Sequence, residues 1–449
     1  MPARDPGPQD EIPSLVLEEL ASPSDLSAPA GMPPDGLRAT VQNAFRALRH
    51  RNYRLFVAGQ IVSLVGTWMQ KVAESWLVYR LTHSELLLGT AWFCTQLPVF
   101  ALGPLGGLAS DRYSRHKLVV LTQFLSMLQA LTLAVLTLSG RIQVWQVLAL
   151  ATLLGTINAF DMPARQSLVI EMAGKDDLLP AISLNSAIFN TARVVGPGIA
   201  GLLVAVFGEG VCFMLNGISF LAVIVCLLAM RLPRFERQTS DSPWSHLIGG
   251  FRYAYQHVPI RTLLIMMAAT TIAGMPAVVL MPFFADAIFH RGSQGLGGLM
   301  GAMGTGAVIG TLVLAGRVRV EGLARVIDES AITMGASFVA FAVSPWFGVA
   351  LAIMPVIGFS VMRQMASANT LIQSLVPDEY RGRIMALYSM TVVGLGPLGS
   401  LAAGALANSW GARWTVALGG TLAIAAALVF RWKLHSVFGP RPVLKDAQC

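Results

Sequence analysis

The chain shows neither the two-residue rhythm of surface strands nor the narrow apolar stripe of soluble helices. Long apolar blocks alternate with short polar turns. Ser84–Ala109, Leu118–Ser139 and Gly210–Met230 each carry at most one charged side chain. Each runs for about 20 residues or more, the length a helix needs to cross a hydrocarbon core of about 30 Å. About twelve such blocks are expected spans, roughly 54–79, 85–109, 117–139, 142–163, 182–207, 210–231, 260–287, 294–315, 324–343, 347–369, 384–408 and 411–433. Lipid offers no partners to backbone N–H and C=O groups, so each block reads as a helix. Barrel strands would alternate over about ten residues, and no such alternation is present.

Composition agrees with an all-α membrane protein. Of 449 residues, 54% are hydrophobic and only 12% are charged, with a mean hydropathy of +0.62. A soluble domain carries about 25% charge. Cys94, Cys212, Cys226 and Cys449 make no disulfide or metal-site pattern, and nothing points to a cofactor. The first 40 residues are rich in Pro, Ser and acids and lack the layout of a signal peptide, so they read as a disordered cytoplasmic tail.

The formal charge of +8 is unevenly spread. With the N-terminus placed in the cytoplasm, about 23 Lys and Arg fall on that side and about four on the other, namely Arg80, Arg141, Arg291 and Arg413. That asymmetry places both termini inside. The basic balance therefore reflects topology and contact with the lipid bilayer, not nucleic acid, for which no segment supplies a soluble basic face.

The chain also repeats. "VGPGIAG" at 195–201 and "LGPLGSL" at 395–401 fall in the fifth and eleventh expected spans, and each is preceded by "QSLV" (166–169 and 373–376) and an acidic pair, Asp176-Asp177 and Asp378-Glu379. This order argues for duplication into two parallel six-helix bundles, the plan of many transporters. The expected organisation is a tail over 1–40, a first bundle over 41–232, a cytoplasmic linker with an amphipathic helix over 233–259, a second bundle over 260–435 and a tail over 436–449.

"GGLASDRYSRHK", residues 106–117, concentrates ionisable side chains between two spans. Gly107 is expected where two helices pass closely. Asp111, Arg112, Arg115 and Lys117 form a charged turn whose carboxylate can pair with a neighbouring bundle and hold a cytoplasmic gate. The stretch resembles the G-x-x-x-D-R-x-G-R-[KR] signature of the major facilitator superfamily, with Ser114 in place of the second glycine. The equivalent loop of the second half, 310–322, lacks the aspartate. "RALRHRNYRLF", "GTWMQKVAESWLVYRLT", "FDMPARQSLV" and "NTARVVGPGIAGLL" resemble the enterobactin-exporter-like, transmembrane secretion effector branch. That resemblance implies secondary active export of small molecules across a bacterial inner membrane. The Gly-Pro run is similar to, though shorter than, a motif associated with drug/proton antiporters.

Ionisable groups inside the spans are the functional candidates. Gln60, Ser63, Thr67, Gln70, Lys71 and Glu74 share one face of the first span. Lys71 and Glu74 are spaced to pair, either as a proton-responsive acid tuned by a lysine or as a static ion pair. Ser183, Ser186, Asn190 and Arg193 line the fifth span, where a bare guanidinium would cost at least ~2.5 kcal/mol. Asp161 is the favoured partner of Arg193, with Glu74 the other; Arg193 either holds an anion, senses a carboxylate or stiffens the bundle. Gly196-Pro197 and Gly396-Pro397 read as pliable points. Asp328 and Glu329 read as helix-end charges. Met266, Met267, Met275, Met303, Met362 and Met365 in the second half are favoured as packing residues over an apolar substrate wall.

Nucleotide-binding and hydrolase motifs are missing, so an enzyme is not indicated. The expectation is a monomeric secondary transporter exporting a small amphipathic molecule by alternating access against proton entry. Uptake by symport and a non-transporting membrane receptor or assembly factor remain as alternatives.

Overall fold

The computed structural model describes residues 46–174, 177–231, 251–315 and 322–437, all helices and short connections. The expected N-terminal tail, the C-terminal tail beyond residue 437, the linker up to residue 250, Asp176 and residues 316–321 of the loop over 310–322 lie outside the described residues. One bundle comprises α1 (Arg51–Thr82), α2 (Glu85–Arg112), α3 (Arg115–Leu138), α4 (Val144–Ala173), α5 (Leu178–Phe207) and α6 (Glu209–Leu228). The other comprises α7 (Val258–Val279), α8 (Gly292–Ala315), α9 (Leu323–Val343), α10 (Phe347–Leu375), α11 (Asp378–Gly394), α12 (Gly396–Trp410) and α13 (Ala412–Val437). A single span, Asp378–Trp410, contains α11 and α12. Beyond α7 a short helix, Met281–Phe283, leads into a π-helical turn, Phe284–Ile288.

Eleven helices among the described residues are long and apolar enough to cross a membrane. The first expected span, α1, runs for 32 residues but does not meet that apolarity. The physical reason is its polar face: Gln60, Ser63, Gln70 and Glu74 are buried against protein rather than facing lipid. Local chemistry sets the ends. Ser84 Oγ accepts from the Leu87 amide at the start of α2, and Gly208, at φ +80°, turns α5 into α6.

Packing repeats between the bundles. In the first, α2 lies on α4, α3 on α6 and α4, and α1 on α6 and α5. In the second, α8 lies on α10, α9 on α13 and α10, and α7 on α13 and α12. The duplication inferred from short peptides thus extends to the helix-to-helix contacts.

Two seams join the bundles, α5 with α8 and α2 with α12. Both are built on small residues, which let backbones approach. A Cβ on Gly297 would lie 2.6 Å from the Pro197 carbonyl oxygen, and one on Gly404 would lie 2.7 Å from that of Glu85. The apolar cores divide along the same line. At the end away from the basic loops one continuous core spans both bundles, from Leu77 and Val78 to Phe284, Leu296 and Phe341. At the basic end there are two cores: one holds Tyr53, Leu168 and Leu227 of the first bundle, the other Leu263, Ile327 and Ile372 of the second. The halves are sealed together at one end and separate at the other.

Candidate functional site

The face of α1 that meets the second bundle organises the site. Ala58, Ile61 and Lys71 are exposed along it, Trp68 is half-buried, and Tyr79 closes its far end. There the Tyr79 hydroxyl donates to Asp286 Oδ2 at 3.1 Å, and its ring meets Phe283 edge-on at 6.2 Å. Towards the basic end this face has no such closure among the described residues.

Lys71 and Glu74 do not form the expected ion pair. Three residues apart on one helix, they diverge: Glu74 turns into the bundle and is 8% exposed, whereas Lys71 stays on the open face with Nζ 4.4 Å from the centre of the Trp68 ring. The Arg193 guanidinium of α5 lies 5.7 Å from the same ring, so two cations share one indole. Phe189 meets Trp68 edge-on at 5.7 Å. The Trp68 signal was available in the sequence, one turn before Lys71 on the same face.

The expected Arg193–Asp161 pair is not formed either. Asp161 is taken by its own side of the bundle. It accepts from Thr122 Oγ1 at 2.7 Å and Gln123 Nε2 at 2.9 Å, and forms an i,i+4 ion pair with Arg165. Arg165 in turn donates to Gln60 at 3.3 Å. The i,i+4 spacing puts Arg165 directly over Asp161, and that local partner wins over one on another helix. Gln70 also lies in a packing network rather than on the open face: it donates to Gln129 at 3.0 Å and accepts from Asn216 at 2.7 Å. Asn190 donates to the Ser186 carbonyl at 2.9 Å.

Around the charged turn, the expected close approach belongs to Gly106, not Gly107. A Cβ on Gly106 would meet Ala159 and Phe160 of α4, while one on Gly107 would meet open space. The two residues point about 100° apart on the helix, and only the first faces α4. Asp111 is half-buried and has no ion pair among the described residues. Arg112 and Lys117 are exposed, and Arg115 pairs with Glu171 at 2.5 Å. Ser114 sits at φ −58°, where serine is as suitable as glycine.

The two Gly-Pro sites differ. Gly196-Pro197 lies inside the unbroken α5, with Gly196 packed on Trp68. Gly396-Pro397 follows a real interruption at Leu395, between α11 and α12. Asp328 is not a helix-end charge. It is 2% exposed and accepts from Arg431 Nε at 2.7 Å, while Glu329 pairs with Arg363 at 3.3 Å. Met266, Met267 and Met303 are buried in the cores, in keeping with packing.

A further cluster lies at the basic end. Asp177, at the N-cap of α5, accepts from Arg46 Nε at 2.7 Å, lies 2.6 Å from Arg49 Nε and 2.7 Å from His50 Nε2. The Arg46 hydrogen bond, with His50 and the Arg49 charge, holds its carboxyl well below the usual range, at about 2.

Residues 42–438 match the profile of the transmembrane secretion effector family. Two similar proteins are the staphyloferrin A transporter of Staphylococcus aureus (strain NCTC 8325 / PS 47), 26% identical over 84% of this chain and 95% of its own, and the multidrug efflux pump Tap of Mycolicibacterium fortuitum, 26% identical over 80% and 89%. Among solved structures, a bacterial homologue of the iron transporter ferroportin in its inward-facing state superposes with a TM-score of 0.67 at 18% identity, covering 85% of this chain and 98% of that one.

Proposed function

Because the chain belongs to the transmembrane secretion effector family of major facilitator transporters, we propose that it exports a small amphipathic molecule from a bacterial cytoplasm by alternating access, coupled to protons through Glu74. The observation that carries this reading is the split core, one apolar body at one end and two at the other. Such an arrangement suits two bundles that rock about a central face rather than a rigid receptor. The similar protein Tap is a multidrug efflux pump, which supports the outward direction, and a monomer is sufficient for the cycle.

In this reading the basic end is cytoplasmic, both termini lie there, and the chain sits in the inner membrane with its central face open to the cytoplasm. Segments 41–232 and 260–435 are the moving bodies, linked by 233–259. When the basic end closes, Asp111 and the neighbouring Arg112, Arg115 and Lys117 meet the second bundle; in the open state Asp111 has no ion pair among the described residues. Gly196-Pro197 and Gly396-Pro397 absorb the bend. Glu74, one turn from Lys71, is an acid whose charge a bound substrate feels. A cationic substrate competes with its proton; an anionic one accompanies it.

The test loads inverted and right-side-out vesicles with candidate compounds under an imposed proton gradient. Accumulation in inverted vesicles only, with the response to the gradient lost in Glu74→Gln, is the expected result. Accumulation only in right-side-out vesicles makes the protein an importer, and flux indifferent to the gradient removes proton coupling.

A further inference from the structure

The Trp68 face holds two cations, and among the described residues no carboxylate lies within ion-pair distance of either. Among the described residues neither Lys71 nor Arg193 forms an ion pair, although both lean on the same indole from α1 and α5. The acids around them are committed elsewhere. Asp161 is held by Arg165, Thr122 and Gln123, Glu209 by Arg80 at 2.7 Å, and Asp286 by Tyr79. Glu74 is turned into the bundle and buried there. With Glu74 ionised the group still carries one net positive charge, and with Glu74 neutral it carries two.

Intramembrane cations without a partner mark a ligand or ion path. Lys71 and Phe189 are exposed on this face, so an incoming molecule reaches both the charges and the rings. A guanidinium and an ammonium on one side suit carboxylate oxygens, and the Trp68–Phe189 pair offers an apolar surface for the rest of the molecule.

We propose that the transported substrate is an organic anion, bearing two carboxylates or their equivalent, bound between Lys71 and Arg193 with its apolar or aromatic body against Trp68 and Phe189. This inference rests on the transport reading above and names its substrate class. Neutralising Glu74 removes the one competing negative charge, so the anion binds best when Glu74 is protonated. A dianion leaving an inside-negative cell moves down the electrical gradient.

The experiment measures binding to the purified full-length protein in lipid nanodiscs by titration calorimetry. Three probes share one ring system: a naphthalenedicarboxylate, its neutral dimethyl ester and a naphthyl trimethylammonium. The dianion is expected to bind at least about tenfold more tightly than either control, since each lost charge-assisted contact is worth about one decade. Lys71→Gln and Arg193→Gln should each weaken it by a similar factor, while Glu74→Gln binds it at least as tightly as the natural chain. Charge-keeping Lys71→Arg and Arg193→Lys retain preference for the dianion, which covers the case in which a glutamine variant fails to fold. Equal or tighter binding of the ester or the cation overturns the proposal, as does absence of dianion binding at millimolar concentration. The two readings fail separately. Vesicle export of the cation or ester with no dianion preference leaves transport standing and removes the anion site; dianion binding without vesicle flux of any probe does the reverse.

Discussion

The Tyr79 hydroxyl donates to the Asp286 carboxylate at 3.1 Å across the boundary between the bundles. Tyr79 ends the face of α1 that holds Trp68 and Lys71, and Asp286 lies in the π-helical turn beyond α7. This one contact marks where the central face is shut. The same end carries the continuous core, while at the basic end the cores of the two bundles are separate.

Accessibility should follow that asymmetry. In a background without the native cysteines, Ile61→Cys, at a position 47% exposed, should react with a membrane-impermeant maleimide added from the basic end. Leu296→Cys, at a position with no exposure, should react at least about tenfold more slowly, because thiol reactivity follows access. Equal rates would mean that the two ends are not differently sealed in solution.

The small-residue seams should be intolerant of bulk. Gly297→Val places methyl groups where the Pro197 carbonyl and Gly201 now sit, an overpacking worth about 1–3 kcal/mol. The expected result is a lower melting temperature, or a far end forced apart so that Lys71→Cys becomes labelled from that side. An unchanged protein on both counts would show that the α5–α8 seam does not hold the far end shut.

The Asp161–Arg165 pair should behave as a structural clamp. Asp161→Asn leaves Arg165 without its carboxylate and should cost about 3 kcal/mol, the low end for a broken buried pair because Arg165 is a quarter exposed. The double change Asp161→Asn with Arg165→Met should recover much of the loss. If Asp161→Asn is neutral in thermal unfolding, the network does not carry stability.

The clip at Asp177 gives a pH signature. Its carboxyl is held at about 2, against an ordinary value of 3.8. A carboxyl whose folded value is depressed contributes stability that is present above the unfolded value and lost as pH falls through the folded one. The stability gap between the natural chain and Asp177→Asn should therefore stay constant from neutral pH down to about 5 and shrink between about 4 and about 2. A gap that is independent of pH across that window would mean the Arg46, Arg49 and His50 contacts do not act through the Asp177 charge.

Much of the architecture is legible without coordinates. Apolar length specifies a helix wherever lipid is the solvent, and the Gly-Pro, "QSLV" and acidic-pair repeats predict the matched helix contacts of the two bundles. The candidate site was only partly readable. Periodicity correctly gathered Lys71 and Glu74 on one helix and Ser186, Asn190 and Arg193 on another, yet three residues of spacing leave about 60° between side chains, enough for one to face the opening and the other the packing.

By itself, then, the sequence determined what must be helical, what must be buried in a membrane and which residues were costly enough to need a partner. Tertiary structure alone decided who that partner is. Asp161 was claimed by Arg165 one turn away, and Arg193 was left to Trp68. Gly106 rather than Gly107 met its neighbouring helix. The physical reason is that hydrophobic length is a property of each segment, whereas pairing depends on the rotation of one helix against another, which no single segment records.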